Sequence, residues 1–266
     1  METQELTTFD FEDGNGPVPA HRHPNGGGWV ADTAHVDESA YVGPEAKVFG
    51  ESKVYGNAKV LDKAKVLDKA TIWGNAEVYE QSEVWGNAQV CGRARVFGRA
   101  RVFGEAEVYG QSVVYGQSVV YGQAEVCGQA KVCGQAKIGG QAEVFGQSVV
   151  YGEAKVLDKA TIWGNAEVFG NALVYDRARV WGKASVSGNA WVFGNAWVFG
   201  NAWVYDNAQV YGEVTISGRA RVYDKAQVWG KASVYGEARV FGEAVVVGEV
   251  VMDSDITASI SGMDCS

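Results

Sequence analysis

AWVFGNAWVFGNAWVYDN, residues 190–207, writes nearly the same six residues three times and sets a tryptophan in each copy. The frame Ala-x-Val-x-Gly-x extends from it in both directions without one insertion or deletion, dividing residues 34–249 into 36 hexads. The third place is Val or Ile in all 36, the first is Ala in 30 and Ser in five, and the fifth is Gly in 27 and Asp in six. A fixed internal period marks a repeat architecture and takes precedence over every other reading of a chain.

Side chains in a strand alternate between two faces, so Ala and Val of each hexad share one face and the residue between them takes the other. The apolar face must be the inside. Gly recurs where the chain has to turn, because it reaches backbone angles closed to other residues, and Asp tolerates the same left-handed geometry. Each hexad is therefore predicted to be one short strand and one corner.

A second repeat gives the number of hexads per coil. AKVLDKATIWGNAEV occupies residues 64–78 and returns unchanged at 154–168, an offset of 90 residues. Ninety is five coils of 18 but seven and a half coils of 12, so copies on the same face require a three-sided coil. On that coil residues 190–207 make one complete turn, and Trp191, Trp197 and Trp203 fall one to each outer face. The expected fold is all-β: a single-stranded parallel β-helix, triangular, with 18 residues per coil and 12 coils. At the usual strand spacing such a rod is on the order of 58 Å long. Its stability would come from stacking of neighbouring coils rather than from a thick core. Open coil edges would template further strands, so residues 1–33 are expected to cap the N-terminal end and residues 250–266 the C-terminal end of the β-helix at 34–249.

The Ala-x-Val-x-Gly-x array resembles the hexapeptide-repeat proteins that fold as left-handed parallel β-helices, a superfamily best known for acyltransferases. GGWV at residues 27–30, followed by long VYGNA-type runs, looks like a bacterial and phage family of unassigned function. The array covers about four fifths of the chain. The resemblance implies left-handed winding and leaves the activity open. In the commonest superfamily pattern Gly directly follows the aliphatic residue; here an aromatic usually stands there and Gly comes next.

The 266-residue chain carries a net charge of −9, placed mostly at its ends. Residues 1–33 hold six acids and one base, residues 250–266 three acids and no base, and the array between is left at −1. That balance argues against a DNA-mimicking inhibitor and against nucleic-acid binding by bulk charge. There is no run of 18 apolar residues, and METQELTTFDFEDG has neither the basic start nor the apolar segment of a signal peptide. The expected setting is the cytoplasm, or a virion if the chain is phage-encoded, with no membrane partner. Cys91, Cys127, Cys133 and Cys265 show no CxxC spacing and read as small apolar replacements for aromatics rather than a disulfide framework.

Histidine is scarce: His21 and His23 lie in AHRHPNGGGWV and His35 in the first hexad. The resemblance implies a histidine base on a loop inserted between hexads or near a subunit interface; the array has no inserted loop, and the candidate is His35 or the His21/His23 segment at an interface. His21, His23 and His35 are also the candidate ligands for a zinc-type site. With no carboxylate partner or fourth ligand signalled, the simpler reading is polar residues of a surface cap, and no cofactor is expected. PNGGGWV lacks the GxxxxGK[ST] spacing of a phosphate loop and is read as a turn into the first coil. GPVPAHRHP is read as an extended linker whose prolines prevent regular structure.

At the fourth place, 24 of 36 residues are Phe, Tyr or Trp. Pointing outward, they are predicted to stack coil above coil at the corners. Trp191, Trp197 and Trp203 stand instead in the second place, where other coils carry mainly charged and polar residues, and mark a candidate surface for self-association, a protein partner or a sugar. The second-place column running from His35 through Lys53, Thr71 and Gln89 mixes charges and lacks the repeated small hydroxyls of an ice-binding face. The leading expectation is a non-enzymatic scaffold that self-associates; the alternative is an acyltransferase-like trimer.

Overall fold

A computed structural model describes residues 7–256 and the backbone of the strand Ile260–Ser261. The described residues are all-β, and none forms a helix, let alone one long and apolar enough to cross a membrane. The chain divides into two compact units, Met1–Gly122 and Gln123–Ser266. Each is a parallel β-solenoid with a step of about 18 residues per turn, and together they hold about 12 turns.

The first unit begins with an antiparallel meander of β1 (Thr8–Asp10), β2 (Pro17–Arg22) and β3 (Trp29–Ala31). The expectation of an irregular GPVPAHRHP segment is thereby corrected. Pro17 and Pro19 sit at alternate positions, so both missing N–H groups face the same way, while Ala20 N–H donates to Thr7 O at 3.0 Å on the other side. Pro19 still contributes its carbonyl, which accepts from Asp32 N–H at 3.0 Å. As predicted, PNGGGWV turns into a strand: β3 pairs in parallel with Lys47–Val48, Trp29 against Lys47 and Val30 against Val48. The parallel ladder thus takes up the chain before the first Ala-x-Val hexad. Beneath the meander Phe11, Ala20, Ala31 and Phe49 are buried, with Phe9, Val18, Trp29 and Leu67 packed around them. Beyond it the two-residue strands separate into three stacks, each strand pairing with the one 18 residues on, as Thr71 does with Gln89.

The second unit repeats this order. Its stacks start at Glu125–Val126, Lys131–Val132 and Lys137–Ile138 and keep the same register to Val251–Met252, Arg239–Val240 and Val245–Gly248. After Met252 the coil shortens, with Ile256 bridging to Val240 and Ile260–Ser261 pairing beside Val246 and Val247.

In both units the first-place Ala and third-place Val or Ile line the interior at or near zero exposure from Ala40 to Val246. Where Ser takes the first place its buried hydroxyl is satisfied locally: Ser52 donates to Phe49 O and Ser148 to Phe145 O, both at 2.8 Å. Corners are closed by a hydrogen bond such as Ala64 N–H to Leu61 O at 3.1 Å. The fifth-place residue holds a positive φ and the sixth does not, which is the pattern of a type II′ turn. At Gly98, with φ of 76°, an added Cβ would lie 2.8 Å from the backbone N and O of Gly116 in the next coil. Asp62, Asp68, Asp158, Asp176, Asp206 and Asp224 hold the same left-handed conformation, with φ between 52 and 60°. Each carboxylate accepts the fifth-place N–H of the following coil, as Asp68 does from Gly86 at 3.1 Å and Asp224 from Gly242 at 2.9 Å. Aspartate therefore replaces glycine at a corner and supplies a contact that glycine cannot.

Candidate functional site

The three histidines occupy different environments. His21, on β2, is exposed, and its Nδ1 lies 2.8 Å from Asp32 Oδ1. His23 is buried at 3% exposure, its Nδ1 lying 3.1 Å from the carbonyl of Asn25. His35 is exposed; its Nε2 lies 3.4 Å from Asp37 Oδ1, and its ring centroid is 5.3 Å from that of Tyr55. Two expectations are corrected here: His21 and His35 do have carboxylate partners, and His23 is not a surface residue. The structure does not gather the three into one site, and among the described residues no group of three or more His, Cys, Asp or Glu is placed to hold a metal ion. The Asp32 partner comes from the turn that follows the neighbouring strand, just past the Ala20–Ala31 pairing.

The tryptophans fall where the 18-residue coil puts them, on three different stacks of the second unit. Trp191 stands between Leu173 and Gln209, Trp197 between Arg179 and Thr215, and Trp203 between Ser185 and Arg221. Their exposures of 44%, 43% and 49% are high for indoles. Trp197 is the most engaged, with the Arg179 guanidinium 5.6 Å from its ring and Trp181 edge-on at 5.7 Å. Each tryptophan follows an asparagine by two residues in Asn-Ala-Trp, at Asn189, Asn195 and Asn201. On the Trp191 stack, Asn171 donates to Asn189 and Asn189 to Asn207, each at 3.1 Å, forming an amide ladder. The spacing of two, which puts both side chains on the outer face, is the signal that would have found this pairing.

Fourth-place aromatics stack along the coil axis, most of them half-buried. In the first unit Phe97 lies between Tyr79 and Tyr115, with centroids 4.7 and 5.1 Å away. In the second, Phe145, Trp163, Trp181 and Phe199 form one column at 5.9, 4.7 and 4.3 Å, with ring planes within 8°. Burial pushes the phenols of Tyr79, Tyr151, Tyr175 and Tyr205 above their ordinary pKa. Cys91, Cys127 and Cys133 occupy gaps in these columns and form no disulfide. Burial, with Glu107 nearby, pushes the Cys91 thiol up, the reverse of what activates a nucleophile. Charged side chains also pair at a spacing of 18, as in Lys59 with Glu77 at 2.9 Å and Lys225 with Glu243 at 2.9 Å. These pairs are exposed and hold register only weakly.

Parallel stacks at an 18-residue step, with no helix among the described residues, define a β-solenoid repeat protein. In agreement, a family model described as "YdcK Beta solenoid repeat" matches residues 88–102. No curated protein matches the chain.

Proposed function

We propose that the protein is a non-enzymatic scaffold that associates with copies of itself through the tryptophan belt of its second unit. The observation that carries this reading is the placement of Trp191, Trp197 and Trp203, all more than 40% exposed, one on each stack. Indoles in that position leave apolar area in water that a second surface would remove, and a belt addresses three directions at once. A protein or carbohydrate partner would use the same rings. Left-handed winding, a bacterial or phage source and a cytoplasmic or virion setting belong to the proposal; the first two rest on the sequence resemblance. The test is absolute mass by light scattering over a range of concentration and salt, for the wild type and for Trp191→Thr, Trp197→Thr, Trp203→Thr combined. Wild-type mass should rise with concentration and the variant should stay monomeric. A wild type that remains monomeric throughout overturns the reading.

A second reading, acyl transfer, is favoured by one observation: exposed His35 lies 3.4 Å from the Asp37 carboxylate, the relation of a general base to the group that orients it. A sharp trimer whose acyl-transfer activity disappears in His35→Ala would establish it, and full activity in that variant would remove it.

A further inference from the structure

The first unit carries a surface groove lined by Lys63, Lys65, Gln81, Glu83, Arg99, Arg101 and Gln117. Four cations face one carboxylate there, in an array whose overall charge is close to zero. Lys63 pairs with Glu45 at 3.7 Å and Lys65 with Glu83 at 3.8 Å, both long and exposed contacts. Among the described residues, Arg99 and Arg101 have no carboxylate within ion-pair distance, whereas Lys47, Lys59 and Lys69 of the same unit all do.

The arrangement follows the coil step. Residues 63 and 65 flank the inward Ala64, and 99 and 101 flank the inward Ala100, so each pair stands side by side on the outer face. The coil between them presents Gln81 and Glu83 at the same two positions, because Glu83 pairs with Lys65 on one side and Arg101 on the other. The coil after Arg101 presents Gln117 and Val119. The two cation pairs therefore stand two coils apart, roughly 9.6 Å at the usual strand spacing, with Gln81 and Glu83 between them.

Three features narrow the ligand. Lys65–Val66, Glu83–Val84 and Arg101–Val102 are each hydrogen-bonded to a strand on both sides, so no backbone edge is free to accept a peptide strand. No aromatic side chain lines the groove, so nucleobases find nothing to stack on. Two cation pairs two coils apart, with Gln81 and the Lys65-paired Glu83 between them, match a chain that spaces its acid groups by hydroxyl-rich neutral units, the amide serving as both donor and acceptor and the carboxylate accepting from hydroxyls. We propose that this groove binds a linear acidic polysaccharide in which an acidic sugar alternates with a neutral one, the acid groups seated on the Lys63/Lys65 and Arg99/Arg101 pairs. The site is distinct from the tryptophan belt and is independent of the scaffold reading.

The test is titration of the full chain with hyaluronan, with neutral dextran, polyglutamate and a single-stranded oligonucleotide as alternatives. Two charge-matched double variants are compared: Arg99→Gln with Arg101→Gln, and Arg93→Gln with Arg95→Gln on the neighbouring stack. The proposal expects hyaluronan binding that weakens with salt and loses about tenfold or more in affinity in the 99/101 variant. The 93/95 variant should change it by no more than about twofold, since exposed charges farther away are screened. No binding of hyaluronan by the wild type overturns the proposal. Equal losses in the two variants would reduce the effect to bulk charge, and equal or tighter binding of polyglutamate or the oligonucleotide would make the ligand class wrong; both results overturn it.

Discussion

Residues 64–78 in the first unit and 154–168 in the second are the same fifteen amino acids, and the structure treats them identically inside and differently outside. In both, Ala and Ile are fully buried. The corner aspartates have φ of 56° at Asp68 and 60° at Asp158. Trp73 N–H and Trp163 N–H each donate to the third-place carbonyl of the next coil, Val90 O and Val180 O, at 3.0 Å. The outer faces diverge. Lys65 has Glu83 at 3.8 Å, whereas Lys155 lies between Lys137 and Leu173 and, among the described residues, has no ion pair. Trp163 stacks on Phe145 and Trp181, whereas the residue 18 beyond Trp73 is Cys91. Backbone and core are thus written locally in the hexad, while surface chemistry is written by residues one coil away.

Four measurements test that contrast. Ile72→Ala and Ile162→Ala should each destabilise by about 2–5 kcal/mol in denaturant unfolding, and by similar amounts, because both lose the same buried volume. A clear inequality would show that the two interiors are not equivalent. Asp68→Ala and Asp158→Ala leave an L residue at positive φ and remove a carboxylate contact, costing about 1–3 kcal/mol each. The loss should be greater at Asp68, which accepts from Gly86 at 3.1 Å, than at Asp158, which accepts from Asp176 at 3.4 Å. Trp163→Ala should cost about 1 kcal/mol more than Trp73→Ala, the contribution of ring stacking beyond simple burial; equal costs would make the columns ornamental. Glu77→Gln, which breaks the 2.9 Å pair with Lys59, should cost no more than about 0.5 kcal/mol and the effect should fade in salt. The matching Glu167→Gln should change nothing, since Glu167 has Val149 and Ser185 as its neighbours.

The core was legible in the sequence because a single rule, Ala and Val inward, repeats without a gap. The three-sided coil was legible because the 90-residue repeat and the triple tryptophan agree only at a step of 18. The meander was not, because by residue type alone the prolines of Pro17–Arg22 mark a segment without regular structure. Their alternate placement, which sends both missing donors to one side, depends on pairing with Thr8–Asp10 that no local pattern announces. The candidate sites were legible in part. The tryptophan belt follows from the coil step, but the Asp32 partner of His21 comes from the turn after a different strand and the burial of His23 depends on the packing of the cap. Arg99 and Arg101 were visible as residues. At a distance of 18 Arg99 meets only Gln81 and Gln117, whereas Arg101 meets Glu83, and only the side-chain geometry shows that Glu83 pairs with Lys65 instead.

That distance makes the molecule sensitive to phase. Deleting one hexad from a unit would keep every Ala and Val facing inward and every corner in place, so the interior would survive almost unaltered. Every residue downstream would nevertheless advance by a third of a turn, bringing strangers into each column: rings would meet carboxylates, and arginines would meet new companions. Loss of a whole coil, 18 residues, restores the phase and costs only length. Among chains built on this rule, growth in steps of three hexads preserves the surface, whereas a single-hexad step leaves the fold intact and rewrites what it displays.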